Sequence, residues 1–139
     1  MQKYLSNSEV KTKQIASTLA KQLAHRVIAL SGQLGTGKTT FVQGFAKGLG
    51  IKEKITSPTF VLIRQHEIPK RDQMLYHIDL YRLENDNQIK GLGLEEIISN
   101  SNNLVLIEWA EKIENLLPQN TLSIKIKKGK GNIRSITVG

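Results

Sequence analysis

Apolar residues change their spacing several times along the chain, and each change marks an element. After Ser6 and Ser8, two candidate N-caps, Val10, Ile15, Leu19 and Leu23 recur near helical spacing with lysines between them, which predicts a first helix. His25 and Arg26 follow it and suit the negative pole of its dipole. Val27-Ile28-Ala29-Leu30 is a short unbroken apolar run, the mark of a buried central strand. Phe41, Val42, Phe45 and Leu49 share one side of a second helix, expected over Thr39–Leu49, with Gly48 and Gly50 as its stops. Pro58 makes Thr56-Ser57-Pro58-Thr59 a loop. Phe60–His66 and Met74–Leu80 read as paired strands around the polar turn Pro69–Asp72. Glu84–Asn103 is polar and irregular, with a short helix over Leu94–Ser99. Leu104-Val105-Leu106-Ile107 is a second apolar strand, followed by a short helix over Ala110–Leu117 that ends before Pro118. Thr121–Lys127 and Ile133–Val138 alternate apolar and polar around Gly129-Lys130-Gly131-Asn132, as in a final hairpin. The expected architecture is α/β: one domain over residues 1–139 with a central mixed sheet flanked by helices.

Composition narrows the class. A chain of 139 residues with 39% hydrophobic residues suits one soluble globular domain. There are no cysteines, so disulfides, thiolate metal sites and cysteine nucleophiles are excluded. No apolar run approaches the roughly 18 residues of a membrane span, and the polar start Met1–Ser6 is not a signal-peptide core, so a cytoplasmic protein without membrane contact is expected. Twenty Lys+Arg against 12 Asp+Glu leave a formal charge of +8. That balance favours anionic partners such as nucleotides, RNA or an acidic protein face, and equally describes a solvated lysine surface.

The sharpest chemical signal is Gly32-Gln33-Leu34-Gly35-Thr36-Gly37-Lys38-Thr39, a complete G-x-x-x-x-G-K-[ST] pattern between an apolar strand and a helix. Its glycines let backbone N–H groups turn toward phosphate oxygens, Lys38 reaches the outer phosphates, and the Thr39 hydroxyl is placed for magnesium. The positive pole of the following helix adds to the same site. A nucleotide site of this type needs carboxylates near the metal. Glu108 directly follows the apolar run, at the tip of a strand expected beside the loop. There it would hold Mg²⁺ directly or through water, or orient the attacking water. Asp79, between Ile78 and Leu80, is either an outward charge or a member of the metal site. Thr59 stands where a γ-phosphate sensor would. Arg82 would neutralise charge or form a structural ion pair. His77, Tyr81 and Trp109 read as core residues. No guanine-reading segment occurs, which favours ATP over GTP.

Four segments together resemble one family. Leu34-Gly35-Thr36-Gly37-Lys38-Thr39-Thr40, Thr56-Ser57-Pro58-Thr59-Phe60, His77-Ile78-Asp79-Leu80-Tyr81-Arg82-Leu83 and Ile107-Glu108-Trp109 are similar, in this order, to the motifs of the TsaE (YjeE) family. Its members are bacterial P-loop ATPases of tRNA threonylcarbamoyladenosine biosynthesis, and the resemblance covers nearly the whole chain. It implies ATP on the segment Leu34–Thr40, Mg²⁺ on Thr39 and Glu108, and catalytic roles for Lys38, Asp79 and Glu108. It also implies Trp109 beside the nucleotide, and Ser8 and Gly131 bordering the nucleoside. The implied partners are TsaB and TsaD. TsaD transfers a threonylcarbamoyl group to an adenosine next to the tRNA anticodon, and hydrolysis here would reset that complex, so that tRNA is met only indirectly. The chain departs from the family at Gln33, where Asp is frequent, and at Thr36, where Ala or Ser is frequent; the lost carboxylate would alter a contact near the site. Two other classes are weighed against this one. A small-molecule kinase usually carries arginines in a lid, and Glu84–Asn103 is poor in them. An RNA-binding module would use Lys125, Lys127, Lys128, Lys130 and Arg134, but aromatic residues for base stacking are scarce at 5%.

Overall fold

Two periodicities build the architecture: period two assigns each strand residue to a face, and the helical period supplies stripes to cover those faces. The computed structural model describes residues 1–33, 35–55 and 63–139. In chain order the strands are β1 (Gln2–Ser6), β2 (Val27–Ser31), β3 (Ile63–Glu67), β4 (Met74–Asp79), β5 (Asn103–Glu108), β6 (Leu122–Lys128) and β7 (Arg134–Val138). The helices are α1 (Glu9–Gln22), α2 (Lys38–Gly48), α3 (Asp86–Lys90) and α4 (Leu94–Ser99), with a 3₁₀ helix over Ala110–Leu116. One mixed sheet runs in the order β1-β7-β6-β2-β5-β4-β3. Its middle strands β6, β2, β5 and β4 are parallel, while β3 and the pair β7 and β1 are antiparallel additions at the two edges.

Alternation sorts the core into two layers. Ile28 and Leu30 of β2, Leu104 and Leu106 of β5, and Ile124 and Ile126 of β6 face α1 and α2, and pack with Phe41, Val42 and Phe45. Val27, Val105, Ile107 and Ile78 face the other way, toward Leu94 and Ile98 of α4 and Ile113 of the 3₁₀ helix. β5 is buried along its whole length because it is covered on both faces.

Several expectations change. β1 does not announce itself in the sequence; it exists because the free edge of β7 pairs with Gln2–Ser6. α3 forms within the segment Glu84–Asn103, whose polar sequence predicts irregular chain there. The segment after β5 is 3₁₀, with a kink at Ile113. Ser6 ends β1 and shares a 2.7 Å hydroxyl bond with Thr12, whereas Ser8 is the N-cap of α1 and accepts from the Lys11 N–H. Val10 is 66% exposed, and the buried stripe of α1 is Thr12, Ile15, Ala16, Leu19 and Ala20. Arg26 does not cap α1: its guanidinium donates to the carbonyls of Ile98 and Asn100, at the end of α4, and to that of Asn103. His25 is exposed, three residues beyond the end of α1. Thr56–Phe60, including Thr59, and the start of the expected strand at Phe60 lie outside the described residues.

Gly48 serves packing, and the stop of α2 comes at Leu49–Gly50. A Cβ on Gly44 would stand 2.5 Å from the Cα and carbonyl oxygen of Lys13, and one on Gly48 would stand 2.5 Å from the Ser17 carbonyl oxygen. The two glycines, one turn apart, let α1 and α2 touch backbone to backbone. Gly44→Ala is therefore expected to lower stability by about 1–3 kcal/mol through overpacking, despite the roughly 1 kcal/mol that alanine adds to an isolated helix. Chemical denaturation measures it; an unchanged or raised midpoint would show that the helices do not approach this closely.

Candidate functional site

Parallel strands end on the same side of a sheet, and that is where this chain gathers its polar residues. β2 runs into the glycine-rich loop. In register, Leu30 lies opposite Glu108, and Glu108 opposite Asp79, so the last residues of β5 and β4 stand side by side next to the loop. Period two places Glu108 on the same face as Leu104 and Leu106, the face that α2 covers. His77 and Asp79, two apart on β4, share that face.

The loop is shaped by two glycines. Gly37, at φ +101°, turns the chain into α2 in a conformation that L side chains rarely adopt. A Cβ on Gly32 would come within 2.7 Å of both the Ile126 carbonyl oxygen and Thr36 Oγ1. Thr36 is buried, and its hydroxyl donates to the Gln33 carbonyl at 2.7 Å, closing the turn from within. Thr39 and Thr40 are half-buried in the first turn of α2, and Gln33 is exposed. Leu34 lies outside the described residues.

Lys38 is buried at the start of α2, with its ammonium 4.4 Å from the centroid of the Trp109 ring. Trp109 has φ +62°, a left-handed conformation uncommon in a non-glycine residue, at the point where the chain leaves β5. Its ring lies 5.1 Å from that of Tyr81. The core reading of this pair changes accordingly: Tyr81 is 45% exposed and Trp109 half-buried, and together they form the wall under Lys38. Arg82 is exposed. Lys112 donates at 2.7 Å to the carbonyls of Tyr81 and Leu83, tying the chain after β4 to the 3₁₀ helix.

Burial raises the Asp79 carboxyl above its ordinary pKa of 3.8. A bond from the Tyr81 N–H opposes this, the Glu108 charge reinforces it, and His77 and Lys38 oppose it. Glu108 is only 3% exposed, and its Oε2 meets Nε2 of the fully buried His77 at 2.6 Å. The donor set of the Thr39 hydroxyl and the Glu108 and Asp79 carboxylates is all hard oxygen. That suits Mg²⁺, which takes one or two carboxylates and completes its octahedron with waters and phosphate oxygens.

Two clefts flank the loop. One, of about 330 Å³, is lined by Asn7, Ser8, Thr12, Gly35, Thr36, Gly37, Thr40, Asn132 and Arg134. It brings Ser8 to the loop across three segments distant in sequence. Gly131 sits at the exposed hairpin tip, one residue before Asn132. The other, of about 570 Å³, is lined by Gly32, Gln33, Thr36, Trp109 and Glu111 together with Lys125, Lys127 and Lys128. Of the basic hairpin residues, only Lys130 lines neither cleft; the other four, Arg134 among them, border the site. Asn7, Thr12 and Asn132 carry no motif, and only the fold brings them to the loop. His77, expected in the core, is buried and joins the site through its contact with Glu108, which the register of β4 with β5 sets.

Fold and loop are those of a single-domain P-loop protein with a mixed sheet flanked by helices. The family model described as threonylcarbamoyl adenosine biosynthesis protein TsaE matches residues 6–136, and the chain belongs to that family. It is similar to the tRNA threonylcarbamoyladenosine biosynthesis protein TsaE of Bacillus subtilis, 44% identical over 114 residues that cover 80% of this chain and 67% of that protein. The protein of the same description from Rickettsia bellii is 42% identical over 123 residues, covering 87% of this chain and 83% of that one. The crystal structure of Bacillus subtilis YdiB superposes with a TM-score of 0.80 at 37% identity, over 99% of this chain and 83% of that one. Among the described residues no helix is long and apolar enough to cross a membrane.

The position of Asp79 has a consequence for stability. A carboxyl whose pKa is higher folded than unfolded binds its proton more tightly in the folded state, so its contribution to stability falls as pH rises from 3.8 through the folded pKa. Asp79→Asn keeps an acceptor for the Tyr81 N–H and removes the charge. Its Tm without nucleotide is expected to exceed that of the wild type at pH 7, with the difference shrinking toward zero near pH 4. A constant or negative difference would show that the carboxylate is not held against its preference.

Proposed function

We propose that this chain is the ATP-binding and ATP-hydrolysing component of cytoplasmic tRNA threonylcarbamoyladenosine biosynthesis, and that its Mg²⁺-dependent hydrolysis drives or resets a TsaB–TsaD complex. One observation carries the reading: Lys38, Asp79 and Glu108, from three separate elements, converge at the mouth of the glycine-rich loop. Phosphoryl transfer to water asks a protein mainly for positioning and charge neutralisation, and these residues supply both.

The backbone N–H groups of the loop and the first turn of α2 bind the phosphates. The Lys38 ammonium leaves the Trp109 face for the outer phosphate oxygens. Thr39 and Glu108 would hold Mg²⁺, which supplies charge neutralisation on the phosphates when bound. Asp79, beside Glu108, would orient the attacking water. Trp109 and Tyr81 shield the reacting group from bulk solvent. Ser8, with Asn132 and Arg134, borders the nucleoside. The lysines of β6 keep the local field positive for a polyanionic ligand. Contact with tRNA passes through the partners, because few exposed aromatic residues offer base stacking.

Hydrolysis is expected to be weak alone and to rise when TsaB and TsaD are added. Lys38→Ala and Glu108→Ala should each lower the stimulated rate by about a hundredfold or more, the usual cost of removing one transition-state contact. Phosphate release, measured with and without the partners, decides it. A wild type that binds ATP and hydrolyses none in any mixture would leave the loop as a sensing site and remove the catalytic roles of Asp79 and Glu108.

A further inference from the structure

A glutamate at the end of a strand has three side-chain torsions, so its carboxylate is not aimed by the sheet alone. Burial makes this acute: at 3% exposure water cannot satisfy Glu108, and an unpaired buried carboxylate is costly. The partner the fold supplies is His77. In the parallel register His77 lies opposite Leu106, two residues before Glu108 on the same face. The two side chains are thus a diagonal pair across adjacent strands, within reach of each other, and they meet at 2.6 Å.

We propose that His77 is the positioning residue of this site. Its Nε2–H donates to Oε2 of Glu108 and fixes the carboxylate, which leaves Oε1 for the magnesium-holding role; this rests on the Mg-ATP reading above. The tautomer follows from the surroundings. Nδ1 is buried with no hydrogen-bond partner among the described residues, so a proton on it would have no acceptor, whereas a proton on Nε2 has one. A histidine that orients a carboxylate from behind does for that carboxylate what outer hydrogen-bond partners do at metal sites generally, where their loss costs 10–100-fold in metal affinity or activity. The same bond blunts the repulsion between Glu108 and Asp79, which stand side by side on the same line.

Two measurements test the assignment. In the nucleotide-free protein, a ¹H–¹⁵N spectrum of the imidazoles is expected to show His77 as the Nε2–H tautomer with a downfield, slowly exchanging proton. Glu108→Gln should move that resonance upfield. The second is ATP affinity with Mg²⁺ and with chelator, in His77→Gln, whose amide nitrogen reaches the place of Nε2, and in His77→Asn, whose amide nitrogen reaches only that of Nδ1. Affinity in chelator should stay near wild type in both. The gain that Mg²⁺ brings should survive in the Gln variant and fall about tenfold or more in the Asn variant. The Nδ1–H tautomer in the wild type, or equal Mg²⁺ gains in the two variants, would overturn the assignment and leave His77 as packing. Absence of any Mg²⁺ gain in the wild type would instead sink the Mg-ATP reading; the imidazole spectrum would then decide the His77–Glu108 bond by itself.

Discussion

Leu30, Glu108 and Asp79 lie abreast in a parallel register, and nearly everything at the site follows from that alignment. Parallel pairing brings the C-terminal ends of β2, β5 and β4 to one edge of the sheet. The glycine-rich loop leaves from the first, and acids close the other two. Because side chains alternate, the same register decides that His77, Asp79 and Glu108 all look toward the layer of α2, whose first residue is Lys38. A slip of one residue in β4 would send Asp79 and His77 to the opposite face, among Leu94, Ile98 and Ile113. The contact of Gly44 and Gly48 with the α1 backbone sets how α2 lies over that face, and with it the place of the loop.

Electrostatically the site is held short of balance. Two carboxylates sit side by side, one buried and one half-buried, near a buried ammonium that rests over an indole ring. The raised pKa of Asp79 shows that its charge is held there against its own preference. A divalent cation entering with phosphate would relieve the carboxylates and give Lys38 a better partner than Trp109. A carboxyl with a raised pKa beside a buried ammonium is a usual mark of a functional centre. The left-handed backbone of Trp109 belongs with this: it is the local strain that sets the ring beneath Lys38.

The antiparallel edges extend the site beyond the parallel core. The hairpin of β6 and β7, with β1 added to it, brings Arg134 and Asn132 to one side of the loop and Lys125, Lys127 and Lys128 to the other. A cluster that in the sequence is equally a solvated hairpin face is thereby turned toward the glycine-rich loop. Ser8 reaches the same cleft because Ser6 and Thr12 bond beneath it and hold the junction of β1 and α1 closed. Kinship with the TsaE family, over residues 6–136, takes in β3 at one edge and the loop, and begins at the last residue of β1 at the other.

By itself the sequence determined whatever depends on neighbours in the chain. The glycine-rich loop is legible because its glycines act within a few residues of one another. The strands β2 and β5 are legible because burial on both faces leaves each an unbroken apolar run, and the capping by Ser8 because a cap bonds three residues ahead. Tertiary structure alone decided the pairings between distant segments. β1 carries no strong strand pattern and exists because β7 offers it an edge. Arg26, placed by its sequence at the end of α1, caps α4 instead, since α4 leaves its carbonyls beside it. Gly48 resembles a stop, yet its missing side chain is needed by a helix that lies thirty residues earlier in the chain. His77 read as core, and it is buried, but what it bonds is set by a register with β5 that no local spacing encodes. The division follows from range: propensity, capping and periodicity act over a turn or a few residues, while register, helix contact and charge pairing arise only once the sheet has closed and distant backbones lie side by side.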